Sequence, residues 1–423
     1  MNPLLPVQFF IPDVEARQWH DGRIYLYGSY DISGDTIYCS RELHVFSSPD
    51  MREWTDHGVS FRAADMHGNR ESQLYAPDCM CINGRYYLCY CSSGGSEGIA
   101  VSDSPYGPFR DAYGVEGADG DGIDPAILLD DDGKVTYFWG QFELRGARMK
   151  ADLTGIEPST LVKPLLTEAR DGFHEGASIR ERNGIYYLVY TDISRGRATS
   201  MAYATSRSPL GPYEKGGIII DNTGCDPETW NNHGSIAEFN DSWYIFYHRS
   251  SQGSKFSRRV CVEPIHFNAD GSIDEVEMTT QGASDPLDAT HRLEASRACL
   301  LSGQVRTATS PPDAYVDQWR EHLTWIHNGD WAAYKYLDFG EGARSLHIRA
   351  SSLSYGGRIE VRLDEPDGRL ISVCDVPHTG GWEKWTTLIS SVNSPVNGVH
   401  ALYLCFTGDA HRLFDIESFW FCR

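Results

Sequence analysis

One short unit recurs five times in the first two thirds of the chain, and it narrows the possible folds more than any other feature. Each copy is a polar turn followed by an aromatic-rich strand: HDGRIYLYGSYD (20–31), NGRYYLCYCSS (83–93), DGKVTYFWGQ (132–141), NGIYYLVYTD (183–192) and NDSWYIFYHR (240–249). The turns carry Asp-Gly, Asn-Gly or Asn-Asp, residues that tolerate the positive φ of a tight hairpin. Successive turn positions, Gly22, Gly84, Gly133, Gly184 and Asp241, are 62, 49, 51 and 57 residues apart. That spacing suits one four-stranded blade per unit. Ser-Pro turns followed by an aromatic, in SSPDMREW (47–54), SDSPYGPF (102–109) and SRSPLGPY (206–213), echo the same period. No long helical periodicity interrupts the units, which disfavours a βαβ fold. The expectation is an all-β chain whose residues 1–290 form a five-bladed β-propeller.

Beyond the polar, turn-rich stretch TTQGASDPLDAT (279–290) the texture changes to alternating strands such as SLHIRAS, RIEVRLD and ALYLCF. Residues 291–423 have the size of one β-sandwich of jelly-roll type.

The position in front of each hairpin carries the chemistry. Nine residues before Gly22, Gly133 and Gly184 stand Asp13, Asp124 and Glu175; Asp78 lies six before Gly84, and His233 eight before Asp241. The innermost strands of a propeller line its axis, so equivalent positions in different blades meet there. Carboxylates crowded around one pocket repel one another, which separates their pKa values and keeps one protonated near neutrality. A protonated acid beside an ionised partner is the equipment of glycoside hydrolysis. His233 reads equally as a core histidine, a substrate contact or a ligand to a calcium–water cluster.

Composition removes other classes. A net charge of −22 argues against nucleic acid or anionic membrane as partners. No apolar run approaches the roughly 18 residues of a membrane span. The start, MNPLLPVQFF, has no basic region followed by an apolar stretch, so a cytoplasmic enzyme is expected, with secretion the alternative. The one dense cysteine group, CMCINGRYYLCYC (79–91), invites a zinc reading. With Asn83-Gly84 as the turn, Cys81 faces Tyr86 and Cys79 faces Leu88, while Cys89 and Cys91 point to the other side of the sheet. Four ligands cannot close around one ion from opposite faces, so buried thiols are expected.

With those residues in view, positions 1–275 resemble glycoside hydrolase family 43, five-bladed propeller hydrolases of arabinose- and xylose-containing glycans. The resemblance is carried by NPLLP, SSPDMREWTDHG, YAPD…NGRYYLCY, GIDPAILLDDDGKVTYFWG, HEGASIRERNGIYYLVYT, YATSRSPLGPY and NNHGSIAEFNDSWYIFYHR. It implies Asp13 as general base, Asp124 as modulator of the acid's pKa and Glu175 as general acid, with inversion of configuration. Asp78, His233, Trp139 and Arg249 are the expected substrate contacts. No cofactor is required; calcium on His233 at the axis is the candidate metal. The family's first motif is usually Ala-Asp-Pro, whereas here it reads Pro12-Asp13-Val14.

The tail resembles a family 6 carbohydrate-binding module through RLEASRACLLSG, WIHNGDWAAYKYLDFG, TGGWEKWTT and LYLCFTGDAHRLFDIESFWF, with Trp331 and Trp382 as candidate sugar platforms. The implied activity is that of an exo-acting, inverting hydrolase removing terminal α-L-arabinofuranose or β-D-xylose from plant-type oligosaccharides. An exo-β-galactosidase on the same scaffold and a non-catalytic sugar-binding propeller are the alternatives.

Overall fold

All five marked turns are tight hairpins with left-handed backbone: φ is 78° at Gly22, 79° at Gly84, 77° at Gly133, 74° at Gly184 and 61° at Asp241. Each folds an inner strand onto its aromatic neighbour. The structure, a computed structural model, describes residues 1–118, 122–312 and 317–423. Blade 1 contains strands Glu15–Gln18, Ile24–Gly28, Glu42–Ser48 and Thr55–Arg62, and blade 2 Leu74–Ile82, Arg85–Ser92, Glu97–Ser102 and Arg110–Gly114. Blade 3 is Ala126–Leu129, Val135–Trp139 and Arg145–Arg148; blade 4 is Phe173–Arg182, Ile185–Asp192, Ser200–Ser206 and Glu214–Asp221. Blade 5 is Ser235–Phe239, Ser242–Ser251 and Ser254–Ile265.

Four strands per blade is therefore too regular a picture. In blade 3 the chain after Arg148 makes only isolated bridges, Met149 to Ile156 and Gly146 to Val162. In blade 5 the outer place is taken by the N-terminus, where Leu4 N–H donates to Val260 C=O (3.0 Å) and Val262 N–H to Asn2 Oδ1 (2.9 Å). That pairing joins the first and last blades.

The five inner strands touch in a ring, each beside the inner strands of the adjacent blades. Apolar clusters fill the wedges between blades, for example Leu26, Phe46, Phe246 and Val262 between blades 1 and 5. The axis is not apolar. Arg17 clasps Asp78 (Nη2 to Oδ2, 2.7 Å) and Arg180 meets Glu15 (Nη2 to Oε2, 2.7 Å). These buried pairs plug the channel, so any pocket above them is blind-ended.

The cysteine register is as expected: Cys79 faces Leu88 and Cys81 faces Tyr86. All eleven cysteines are free thiols.

From Leu287 onward the chain builds two six-stranded sheets around a second core that includes Tyr334, Ile348, Val361, Phe406 and Phe419. This β-sandwich is fastened to blade 5. Glu321 and Arg259 form a buried ion pair (2.7 Å), and Leu301 N–H donates to Gly224 C=O (2.7 Å). Arg258, next to Arg259 on the same strand, points the opposite way, to the propeller axis.

Candidate active site

Strand entrances hold the key side chains: Asp13 and Asp124 precede their strands, and Glu175 is the third residue of its own. Asp13 and Asp124 both have φ of 57°, and Gly176, next to Glu175, has φ of 70°. A non-glycine residue in this region is strained and persists where the surroundings over-determine it. The strand carrying Glu175 is also bulged, its register shifting between Glu175 and Ser178. These kinks bring side chains from separate blades to the mouth of the axis. At Gly176 the space is needed as well as the angle, because a Cβ would lie 2.9 Å from the His233 ring.

Asp13, Asp124, Glu175 and His233 line one pocket of about 220 Å³ together with Tyr38, Cys39, Tyr75, Gln141, Trp230, Asn231 and Arg258. Pockets for drug-sized ligands run to ~300–1,000 Å³, so this one takes about a single sugar ring.

Asp13 is held from several sides. Its Oδ2 accepts from Ser29 Oγ (2.8 Å) and its Oδ1 from Arg258 Nη1 (2.9 Å). The Nδ1 atoms of His248 and His233 stand 3.4 and 3.7 Å from Oδ1. Burial alone would raise this carboxyl; the Arg258 guanidinium and the two imidazoles outweigh it and hold Asp13 well below the usual carboxylate range. Arg258 is itself gripped by Asp31 through Nε and Nη2, both at 2.9 Å.

Asp124 is the opposite case. Its N–H points at Cys91 Sγ (3.2 Å), and its Oδ2 accepts from Gly176 N–H (3.1 Å). Burial, then the charges of Glu175, Asp13 and Glu97, push it well above the usual range, with Gly176 N–H a smaller opposing influence. Glu175 faces the pocket between two amides, Oε2 accepting from Gln141 Nε2 (2.8 Å) and Oε1 from Asn231 Nδ2 (3.3 Å). Asp124 is thus disposed to hold a proton, beside an Asp13 that is not. One ionised and one protonated carboxyl is the division that acid–base cleavage of a glycoside requires.

Three expected substrate contacts lie elsewhere. Asp78 is fully buried, bidentate to Arg17 and accepting from Ile127 N–H (2.8 Å) in the axial plug. The residue at the nine-position offset before Gly84 is Tyr75, and it is Tyr75 that lines the pocket. Trp139 is 2% exposed and sits in the core between blades 2 and 3, beside Tyr137. Arg249 turns away to the Tyr247 hydroxyl and Thr279 C=O. Since His248 faces the axis, strand alternation sends its neighbour Arg249 to the other face. The guanidinium that lines the pocket is Arg258, which carried no sequence signal of its own. Replacing Asp78 with alanine is expected to cost about 3–5 kcal/mol of stability by stranding Arg17. A lowered Tm with kcat/KM of the folded enzyme retained would check this; retained Tm with lost activity would return Asp78 to the site.

His233 offers a cation one imidazole, and among the described residues no group of three or more His, Cys, Asp or Glu is arranged to hold a metal ion. Calcium takes six to eight oxygen ligands, and two guanidiniums already occupy the axis below. Calcium on His233 would therefore take most of its oxygen ligands from water.

In the sandwich, Trp331 packs edge-on against Tyr403 (5.4 Å). Trp382 opens on a surface cavity with Tyr355, which is 94% exposed, but the Arg412 guanidinium lies 3.8 Å from its ring centre.

Comparison with known proteins identifies related families for both parts of the chain. Residues 2–273 match the profile of glycosyl hydrolases family 43, and residues 302–423 that of carbohydrate binding module family 6. A xylosidase/arabinosidase of Thermoclostridium stercorarium is 30% identical over 480 aligned residues, covering 100% of this chain and 98% of its own. An arabinoxylan arabinofuranohydrolase of Bacillus subtilis (strain 168) is 31% identical, covering 96% of this chain and 89% of its own. Among solved structures, a family 43 arabinoxylan arabinofuranohydrolase from Bacillus subtilis, in complex with cellotetraose, superposes with a TM-score of 0.57 at 29% identity, covering 100% of this chain and 97% of that one.

Proposed function

The chain belongs to glycosyl hydrolases family 43, and from that premise we propose an inverting, exo-acting hydrolase that releases terminal α-L-arabinofuranose or β-D-xylose from plant-type oligosaccharides. The observation that carries the mechanism is the division of charge among three carboxyls in one blind pocket. Asp13, ionised beside Arg258, takes a proton from water as the water oxygen bonds to the anomeric carbon. Glu175 gives its proton to the glycosidic oxygen as the carbon–oxygen bond breaks. Asp124, through Gly176 N–H, fixes where Glu175 sits, and its own raised affinity for a proton keeps one beside the acid. A pocket closed at its base by the Arg17–Asp78 and Arg180–Glu15 pairs admits a chain end only, which supports exo action. The C-terminal sandwich matches carbohydrate binding module family 6.

A panel of arabinosides, xylosides and galactosides, followed by proton NMR of the first-formed anomer, tests this reading. Release of pentose in the inverted configuration is expected; a retained anomer would exclude Asp13 as base.

The pH dependence follows from the same charges. Activity should fall on the alkaline side as the proton held by Asp124 is lost. Asparagine at 124 can neither take up nor lose a proton, so Asp124→Asn is expected to move the alkaline limb of kcat/KM. An unmoved limb would remove Asp124 from the proton's control.

A further inference from the structure

In blade 5 the hairpin between strands Ser242–Ser251 and Ser254–Ile265 turns on Gln252 and Gly253, both left-handed, with φ of 64° and 63°. Exposed hairpin tips are among the least stable parts of a fold. This one is held from three directions. Gln252 Oε1 accepts from Ser33 Oγ (3.0 Å), in the blade 1 loop that also carries the pocket residues Tyr38 and Cys39. Gly253 N–H donates to Oδ2 of the buried Asp226 (2.9 Å), whose Oδ1 accepts from Glu228 N–H (2.9 Å). Asp226 belongs to the 222–234 loop, which carries Trp230, Asn231 and His233 into the same pocket. The third hold comes from the sandwich. Gln252 N–H donates to Oγ1 of the buried Thr307 (3.2 Å), and Arg306 packs so closely on Gly253 that a Cβ there would lie 2.7 Å from its side chain.

Resting on the hydrolase reading above, we propose that the sandwich positions the general acid. Its strand Arg306–Ser310, acting through the Gln252–Gly253 tip and Asp226, holds the loop from which Asn231 reaches Glu175. The chain of contacts is short. Asn231 Nδ2 donates to Glu175 Oε1 (3.3 Å), and the Asn231 C=O accepts from Asn222 Nδ2 (3.1 Å) and His248 Nε2 (2.8 Å). Those bonds fix the inner end of the loop. Its outer end is fixed by Asp226 and by Gly224, whose C=O accepts from Leu301 N–H of the sandwich. A reacting group has to stand within about 0.5 Å of its productive place, and a side chain at the tip of a loop is placed no better than the loop's anchors. Asp226 and Thr307 are therefore positioning residues, which act on Glu175 through Asn231 and touch no substrate. The role requires no glycan on the sandwich.

Leaving groups provide the test, because only some of them need the proton of Glu175. Asp226→Asn keeps the size of the side chain and loses one of its two N–H acceptors. It is expected to lower kcat on pentosyl oligosaccharides about tenfold, the scale of one buried hydrogen bond. Hydrolysis of α-L-arabinofuranosyl or β-D-xylosyl fluoride should stay within about twofold of wild type. Thr307→Val, similar in shape but without the acceptor, should give the same split, and Thr307→Ser should restore the wild-type ratio of the two rates. Equal losses on both substrates, or a lowered Tm with both rates of the folded enzyme retained, would reduce these contacts to a structural role and overturn the proposal. A split in Asp226→Asn without one in Thr307→Val would overturn the sandwich's part in it. Wild-type enzyme cleaving neither class would instead overturn the hydrolase reading, and the positioning role with it.

Discussion

Glu175→Gln is expected to cut kcat on natural pentosyl oligosaccharides by about 10²–10⁴-fold, the usual worth of a positioned general acid, while costing little on leaving groups that need no proton. Glutamine preserves the shape of the side chain and removes only its capacity to donate. The surrounding amides, Gln141 and Asn231, can each present oxygen or nitrogen to a glutamine amide, so the pocket need not rearrange. On a pentosyl fluoride or a dinitrophenyl glycoside the leaving group departs as a stable anion, and the loss should stay below about tenfold. Equal damage on activated and natural substrates would mean that Glu175 shapes the pocket and that the proton comes from elsewhere. Asp124, buried deeper and bound to Gly176 N–H, would then be the candidate donor.

What the sequence disclosed, and what it hid, follows from how local each determinant is. The hairpins were legible because Asn-Gly and Asp-Gly fix a backbone conformation within two residues. The meeting of Asp13, Asp124 and Glu175 was legible because a constant offset from those turns becomes a common height on the axis. Taken strictly, the same offset leads to Tyr75 in blade 2; Asp78 drew the eye because it is ionisable, yet it stands three residues further along, at the level of the plug. Arg258 was hidden for a different reason. It sits on the outward-returning strand of the last hairpin, where the sequence offers Arg249, Arg258 and Arg259 alike. Only the pairing of Ser250 with Arg258 and of Arg249 with Arg259 separates the one that faces the axis from those that do not. The missing fourth strands of blades 3 and 5 were likewise non-local. One dissolves into bridges around Pro158, and the other is supplied by the far end of the chain.

The second large effect is expected at the base. Asp13→Asn should depress kcat/KM by about 10²–10⁴-fold on every substrate, pentosyl fluorides included, because water must be deprotonated whatever the leaving group. That indifference to the leaving group is what separates it from Glu175→Gln. Azide, a nucleophile that requires no base, should restore turnover and give the inverted glycosyl azide; failure of azide to do so would place Asp13 outside water activation. The substitution also has a stability signature of definite sign. Arg258 holds the folded Asp13 carboxyl below its unfolded value, so its contribution is present above the ordinary carboxylate range and lost as pH falls through the folded value. The Tm deficit of the asparagine variant should therefore be largest near neutrality and narrow as pH is lowered. The fold should survive, since Asp31 still neutralises Arg258 through two hydrogen bonds. A Tm deficit that stayed constant down to acid pH would mean that the guanidinium does not hold the charge on Asp13, and the explanation offered here for an ionised base would fail with it.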